Sequence, residues 1–450
     1  MTIRSTFVAA LLLSLATAAV ASPHPCPPPL AKAHARCETV TVAEDPAKPQ
    51  GRTIALNVVV VPAIKKKAGE PPMFHLEGGP GIAGSNAAGF YVGPGSVYRQ
   101  HRDVVLIDQR GTGKSNPLHC PELEKRGPLV EMYPVDEVKA CREALEKTAD
   151  LTQYSTERAA DDVEAVRHAL GYEKIDLWGV SYGTRLAQVY MKRYPSHVRR
   201  LLLAGFAPLD YRTPLSHAVN AQRVLDLLFY KCERDAACAE KYPLLRDDWS
   251  SVMQSVKAGA APVGPFAEAV RNLMATAASQ RKLPADIHAA REGHFAQIEL
   301  RFAPSSSQFA LGEYFSVVCS EASPRIRDLD VAQMTLGTFL GEYRVRQELN
   351  ACANWTKYDV APSFYEPPKS GSVLVMSGEM DATAPPDWSY EFCAKLPHCR
   401  VLLFPDLGHG PFDLDQWQHG ECWDAIAAKF LATGRVEDGC MKEMKPPALE

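Results

Sequence analysis

The pentapeptide Gly179-Val180-Ser181-Tyr182-Gly183 is the first stretch of this chain that could do chemistry. In G-x-S-x-G the glycines let neighbouring backbone pass without meeting a Cβ, and the turn between them exposes the serine hydroxyl. A hydroxyl attacks a carbonyl only when a base takes its proton, and the base needs an acid to orient it. The later chain offers one good group of each kind. Asp381 lies in Ser377-Gly378-Glu379-Met380-Asp381-Ala382-Thr383-Ala384-Pro385, with Glu379 and Asp406 as competitors for the acid. His409 lies in Pro405-Asp406-Leu407-Gly408-His409-Gly410, and among thirteen histidines it is marked out by two flanking glycines after the last strand. Acyl transfer also needs N–H donors for the developing oxyanion. The backbone N–H of Tyr182 is one, and Gly79, in the glycine-rich loop 78–84, is expected to supply the other.

These groups need a scaffold that brings them to one edge. Residues 174–180 read as a strand running into the serine turn, and Leu186, Ala187, Tyr190, Met191 and Tyr194 follow at helical spacing. Residues 38–42 and 52–61 read as two early strands joined by a polar turn, an antiparallel start. The short apolar runs 72–77 and 104–107 end in glycine-rich loops, as buried parallel strands do. Thr156 can cap a helix carrying Ala159, Val163, Val166 and Leu170 on one face. Strands at 198–204, 373–377 and 401–404 and helices near 387–396 and 421–432 complete the rhythm. The alternation predicts an α/β fold with a mostly parallel central sheet and helices on both faces. Asp381 and His409 then follow the C-terminal ends of strands, the edge that also carries Ser181 and where ligands gather in such sheets. Thr213-Pro214 opens about 160 residues of helical pattern without a clear strand. The expected organisation is a signal peptide at 1–21, a first core part at 22–208, a mainly helical cap at 209–368 and a second core part at 369–450.

The 450 residues suffice for one large domain or two, and a formal net charge of −4 gives no sign of a nucleic-acid or anionic-membrane partner. Arg4, the apolar run 7–20 and Ala19-Val20-Ala21 read as a signal peptide cleaved after Ala21, so an exported protein, periplasmic or extracellular, is expected. No other run approaches a membrane span. Residues 22–36, rich in Pro and Ala, read as a mobile arm. Twelve cysteines suit export. Because short loops close most easily, neighbour pairing is expected: Cys26–Cys37, Cys120–Cys141, Cys232–Cys238, Cys319–Cys352, Cys393–Cys399 and Cys422–Cys440. No C-x-x-C and no Cys-His cluster with zinc spacing occurs, and no metal or other cofactor is expected.

A rival reading starts from Gly79-Pro80-Gly81-Ile82-Ala83-Gly84, a G-x-G-x-x-G after a strand, with Asp108 near the place of a ribose-binding acid. It would make the chain a dinucleotide oxidoreductase. Export disfavours a diffusible nicotinamide, residues 86–95 start no clear helix, and Ser181, Asp381 and His409 would stay unexplained. Gly113-Lys114-Ser115 is no phosphate loop, since position 108 is Asp rather than Gly. Arg110 reads as a charge that braces its loop.

Taken together, LEGGPGIAG at 76–84, DQRGTGKS at 108–115, GVSYGT at 179–184, GEMDATAP at 378–385 and PDLGHG at 405–410 resemble the α/β-hydrolase peptidases that comprise proline iminopeptidases and secreted tripeptidyl aminopeptidases. The likeness spans about 38–440 and is closer to the tripeptidyl branch. It implies the α/β-hydrolase fold, Ser181 as nucleophile, Asp381 as orienting acid, His409 as general base and an oxyanion hole completed by the loop at Gly78–Gly81. Where the proline iminopeptidase pattern begins His-Gly-Gly-Pro-Gly, Glu77 takes the place of His, which weakens a proline-specific reading and leaves the backbone donors intact. The expected substrate is a peptide with a free N-terminus, cleaved by an aminopeptidase; a carboxylesterase of the same fold is the alternative. An exopeptidase has to hold the substrate's ammonium, so an acid in the pocket is expected. Glu321 is the candidate, beside Cys319, with Glu77 and Glu313 as alternatives.

Overall fold

Among the described residues nine strands form one sheet in the order β1-β2-β3-β5-β4-β6-β7-β8-β9: β1 (Ala21–His24), β2 (Arg36–Ala43), β3 (Thr53–Val61), β4 (Met73–Leu76), β5 (Val104–Ile107), β6 (Ile175–Val180), β7 (Val198–Ala204), β8 (Ser372–Gly378) and β9 (His398–Phe404). The structure is a computed structural model and describes residues 20–93, 95–295, 309–411 and 414–450. β1, β2, β3 and β5 pair antiparallel in turn, and every pairing from β5 through β4 to β9 is parallel. The expected hairpin and parallel strands are therefore present, with β4 inserted between β5 and β6.

The sheet is buried on both faces, and successive residues serve opposite sides, as a two-residue repeat requires. Phe74, Leu76, Leu177 and Leu203 face the helices Thr156–Ala169 and Tyr182–Arg193. Met73, Trp178, Leu202 and Leu374 face the helix Glu421–Thr433 through Trp423, Ile426 and Phe430. Ser155, rather than Thr156, caps the first of these helices, its hydroxyl accepting from Arg158 N–H. Between β7 and β8 the described elements are helices, among them His217–Arg234, Val263–Leu273, Leu311–Glu321 and Tyr343–Ala353. Several of them share a core of their own, with Val224, Leu228, Phe266, Val270 and Ile287, which also packs on Met380 and Ala382. Those two residues flank Asp381, so this core sets the loop that carries the acid. The helix expected from Pro214 starts at His217, after a turn around Thr213-Pro214.

The start of the chain differs from expectation. Residues 22–36 are ordered: β1 pairs with β2 in the register Ala21↔Val40 to His24↔Cys37, and a short helix follows at Pro28–Lys32. A Pro-rich composition is compatible with this because β1 lies at the sheet edge, where a missing ladder N–H costs little, and Cys26–Cys37 ties the segment down. The signal-peptide reading of 1–21 falls outside the described residues up to position 19. All six expected disulfides are present, with Cα–Cα distances from 4.9 to 5.8 Å, and no described cysteine is free. Among the described residues no helix is long and apolar enough to cross a membrane.

Candidate active site

Ser181 stands between β6 and the helix Tyr182–Arg193 with φ 53° and ψ −121°. A side chain in this region is strained, and surrounding packing has to hold it there. The glycines supply the room. A Cβ on Gly183 would overlap the Leu76 carbonyl, and one on Gly179 would come within 2.6 Å of the Gly183 oxygen. The serine therefore sits at the sheet's C-terminal edge because β4 and β6 run close beneath it.

His409 Nε2 lies 2.9 Å from Ser181 Oγ, and its Nδ1 lies 2.8 Å from Asp381 Oδ2. An ionised carboxylate only accepts hydrogen bonds, so Nδ1–H donates to Asp381 and Nε2 is left to accept from the serine hydroxyl. Asp381 is completely buried, and its Oδ1 accepts from the Thr383 and Ala384 N–H groups at 2.7 and 2.8 Å. Those bonds fix the carboxylate plane. Glu379 and Asp406, the competing acids, both face Lys231 Nζ, at 2.9 and 2.7 Å. The histidine loop is held from the helical segment, since His409 N–H donates to Ala275 O at 2.8 Å. Burial opposes charge on His409, but the field and hydrogen bond of Asp381 outweigh it, and the imidazole pKa is raised.

Gly79 and Tyr182 line the same cavity as Ser181 and His409. Neither backbone N–H donates to a protein acceptor among the described residues. For Tyr182 this follows from its place as first residue of a helix, where N–H groups lack intrahelical partners. Gly79 has φ 111°, open to glycine alone without strain. The neighbouring Gly78 N–H is already taken by Glu77 Oε1 at 2.9 Å. Glu77 Oε2 in turn accepts from His75 Nε2 at 2.9 Å, and His75 Nδ1 accepts from Tyr91 OH at 2.8 Å. Glu77 thus braces the loop from below, and it borders a second cavity of about 870 Å³ beside Trp178 and Trp417. A serine hydroxyl, an imidazole oriented by a carboxylate and two residues with unengaged N–H groups around one space can together form and stabilise a tetrahedral acyl-transfer intermediate.

The structure does not bring Glu321 to this space. Its carboxylate is buried and accepts from Thr156 N, Thr156 Oγ1, Tyr358 OH and, at 3.3 Å, Arg185 Nη2. Through Thr156 Oγ1 it touches the ring hydroxyl of Tyr182, 2.9 Å further on. Glu313 is buried against Gly111, and burial pushes its carboxyl well up. Arg110 grips Asp162 with two bonds of 2.7 Å and donates to the Glu44 and Gln153 carbonyls, which braces its loop. The Ser181 cavity, about 570 Å³, is lined from the helical segment by His217, Arg271, Tyr314 and Arg344. No sequence motif marks these four. The signal in the sequence is Glu268 and Arg271 standing as charges inside the run Phe266–Leu273, whose other residues are apolar apart from Asn272.

A family model described as alpha/beta hydrolase fold matches residues 71–240, and one described as TAP-like protein matches 337–441. A tripeptidyl aminopeptidase of Streptomyces lividans is 31% identical over 189 residues, which covers 37% of this chain and 34% of that protein. The serine protease Hip1 of Mycobacterium bovis is 29% identical over 227 residues, 45% of this chain and 42% of that one. A proline iminopeptidase of Neisseria gonorrhoeae is 29% identical over 143 residues, 31% of this chain and 35% of that one. The chain thus matches well under half the length of each of these relatives. With the sheet order above and these two family models, the protein has the α/β-hydrolase fold and is similar to tripeptidyl aminopeptidases and proline iminopeptidases.

Proposed function

We propose that the protein is an exported serine peptidase that releases N-terminal residues or short peptides through an acyl-enzyme. The observation that carries this reading is the hydrogen-bonded series Ser181–His409–Asp381 beside the two unengaged N–H groups of Gly79 and Tyr182. Ser181 Oγ attacks the scissile carbonyl as its proton passes to His409 Nε2. The oxyanion is held by the Gly79 and Tyr182 N–H groups. The proton then passes from Nε2 to the leaving amine as the C–N bond breaks. Water, deprotonated by the same nitrogen, releases the acyl group and restores Ser181. The peptidase names of the relatives support a peptide substrate, and six disulfides support export. In this reading residues 22–208 and 369–450 form the catalytic core, and 209–368 is a cap that decides which substrates enter.

A fluorophosphonate probe tests the nucleophile: wild type is labelled and Ser181→Ala is not. Undiminished labelling of the alanine variant would refute it. A free-amine peptidyl arylamide, its N-acetylated form and a short acyl ester then test the substrate class. The free amine is expected to be cleaved best; efficient turnover of the acetylated form defeats the exopeptidase reading, and turnover of the ester alone makes the protein an esterase.

A further inference from the structure

The charged side chains that line the cavity above Ser181 are mostly cationic. Its lining includes Arg126, Arg185, Arg271 and Arg344, against one acid, Glu124. Glu124 is fully engaged, accepting from Cys120 N at 2.7 Å, Leu311 N at 2.9 Å and His119 Nδ1 at 3.0 Å. Two of the arginines have their own carboxylates outside the lining: Arg126 sits on Glu137 at 2.6 Å and Arg185 on Glu321 at 3.3 Å.

Arg271 and Arg344 are different. Both lie on the same oxygen, Glu268 Oε1, at 2.7 and 2.8 Å. The next acid, Glu348, is further off, 3.6 Å from Arg344, accepts from Tyr314 OH at 2.6 Å, and has its carboxyl pKa pushed up by burial. Two guanidinium groups therefore share one carboxylate oxygen at a buried site, where Arg271 is only 7% exposed. A charge left uncompensated in such a place is costly. Two side-chain nitrogens also lack hydrogen-bond partners there. Arg344 Nε is buried without one, and so is Nδ1 of His217, a ring 5% exposed and held neutral by burial and by both arginines. All three side chains line the space that holds Ser181 and His409.

We propose that this cavity binds a carboxylate of the substrate, held by Arg271 and Arg344 with His217 beside them. A planar guanidinium pair meets a carboxylate with parallel N–H···O bonds, the strongest ordinary polar contact available to it. The inference rests on Ser181 being where the reaction occurs. Two sources supply such a group: the C-terminal carboxylate of a short leaving peptide, or an acidic side chain in the acyl part. Either one makes the protein selective for short or acidic peptides.

The test reads binding rather than turnover. In Ser181→Ala protein, calorimetry compares a tripeptide with its C-terminal amide, and a peptide bearing Glu in the acyl part with the same peptide bearing Gln. Charge-assisted contacts of this kind predict that the acid binds about 10- to 100-fold more tightly than the amide in one of the two pairs. The pair that shows the difference identifies the source. Arg271→Gln and Arg344→Gln, each made in the same background, should bring acid and amide within about threefold of each other. Each single substitution leaves Glu268 one arginine, so the buried carboxylate stays paired and the fold is retained. Equal affinities in both pairs overturn the proposal, and so does a preference that survives both substitutions. If Ser181 were not the nucleophile, fluorophosphonate labelling would fail while the acid preference persisted, so the two failures are distinct.

Discussion

Asp381→Asn changes one atom pair and should nearly stop the reaction. In the structure Asp381 has no freedom to reorient: Oδ1 receives two backbone N–H groups, from Thr383 and Ala384, and Oδ2 receives His409 Nδ1–H. An asparagine at this completely buried place has to put its carbonyl oxygen on the two N–H groups, because its amide nitrogen would oppose two donors there. The amide nitrogen then faces His409 Nδ1 as a donor. The imidazole answers by taking the other tautomer, with its proton on Nε2, the atom 2.9 Å from Ser181 Oγ. A ring protonated there cannot accept the serine proton. The wrong tautomer in a Ser-His-Asp array costs about 10⁴ in kcat in the best-studied template, which at 1.36 kcal/mol per decade is about 5 kcal/mol of barrier. The assay is turnover of whichever arylamide or ester the wild type cleaves, with thermal denaturation run alongside to show a native fold. A folded Asp381→Asn protein that keeps more than a tenth of wild-type kcat would refute both the tautomer argument and the role given to Asp381.

The pH profile should show the same charge from another side. His409 acts as base only when neutral, and Asp381 raises its pKa, so log kcat/KM should fall by one per pH unit below a midpoint that lies above 6.5, the ordinary imidazole value. A midpoint at or below that value, or a flat profile between pH 5 and 8, contradicts the assignment. Cys319–Cys352 closes a separation of 33 residues between the helices Leu311–Glu321 and Tyr343–Ala353. The chain-entropy relation gives about 3–4 kcal/mol for a loop of that size. A double Cys→Ala variant should lose that much in a denaturant titration, and a loss below 1 kcal/mol would show that the bridge constrains little.

The parts that sequence made legible are those built from local rules. Strand β6, the Ser181 turn and the following helix need only an apolar run, two glycines and a helical repeat within twenty residues, and each is visible as such. Asp381 and His409 were legible for a topological reason: in a parallel sheet every strand ends at one edge, so residues just past β8 and β9 meet those past β6 without any knowledge of packing. Neighbouring cysteines could be paired because short loops close cheaply. What sequence did not show depends on contacts across hundreds of residues. Glu321 was singled out by its neighbour Cys319, but the disulfide fixes the backbone and not the direction of the carboxylate, which turns to Thr156 and Tyr358. The ordering of residues 22–36 depends on β2 offering a free edge, which composition cannot report. Glu268, on the helix Val263–Leu273, has one arginine on its own helix and the other 76 residues on, so no window of sequence shows that two cations share one anion. A motif can place the reacting atoms because their elements are ordered by the fold. The charge that selects what reaches them is a sum over two helices of the segment between β7 and β8, the part of the chain that carries the fewest motifs. Substrate choice in this protein therefore has to be read from the electrostatics around Arg271 and Arg344, and the acid-against-amide comparison measures that sum directly.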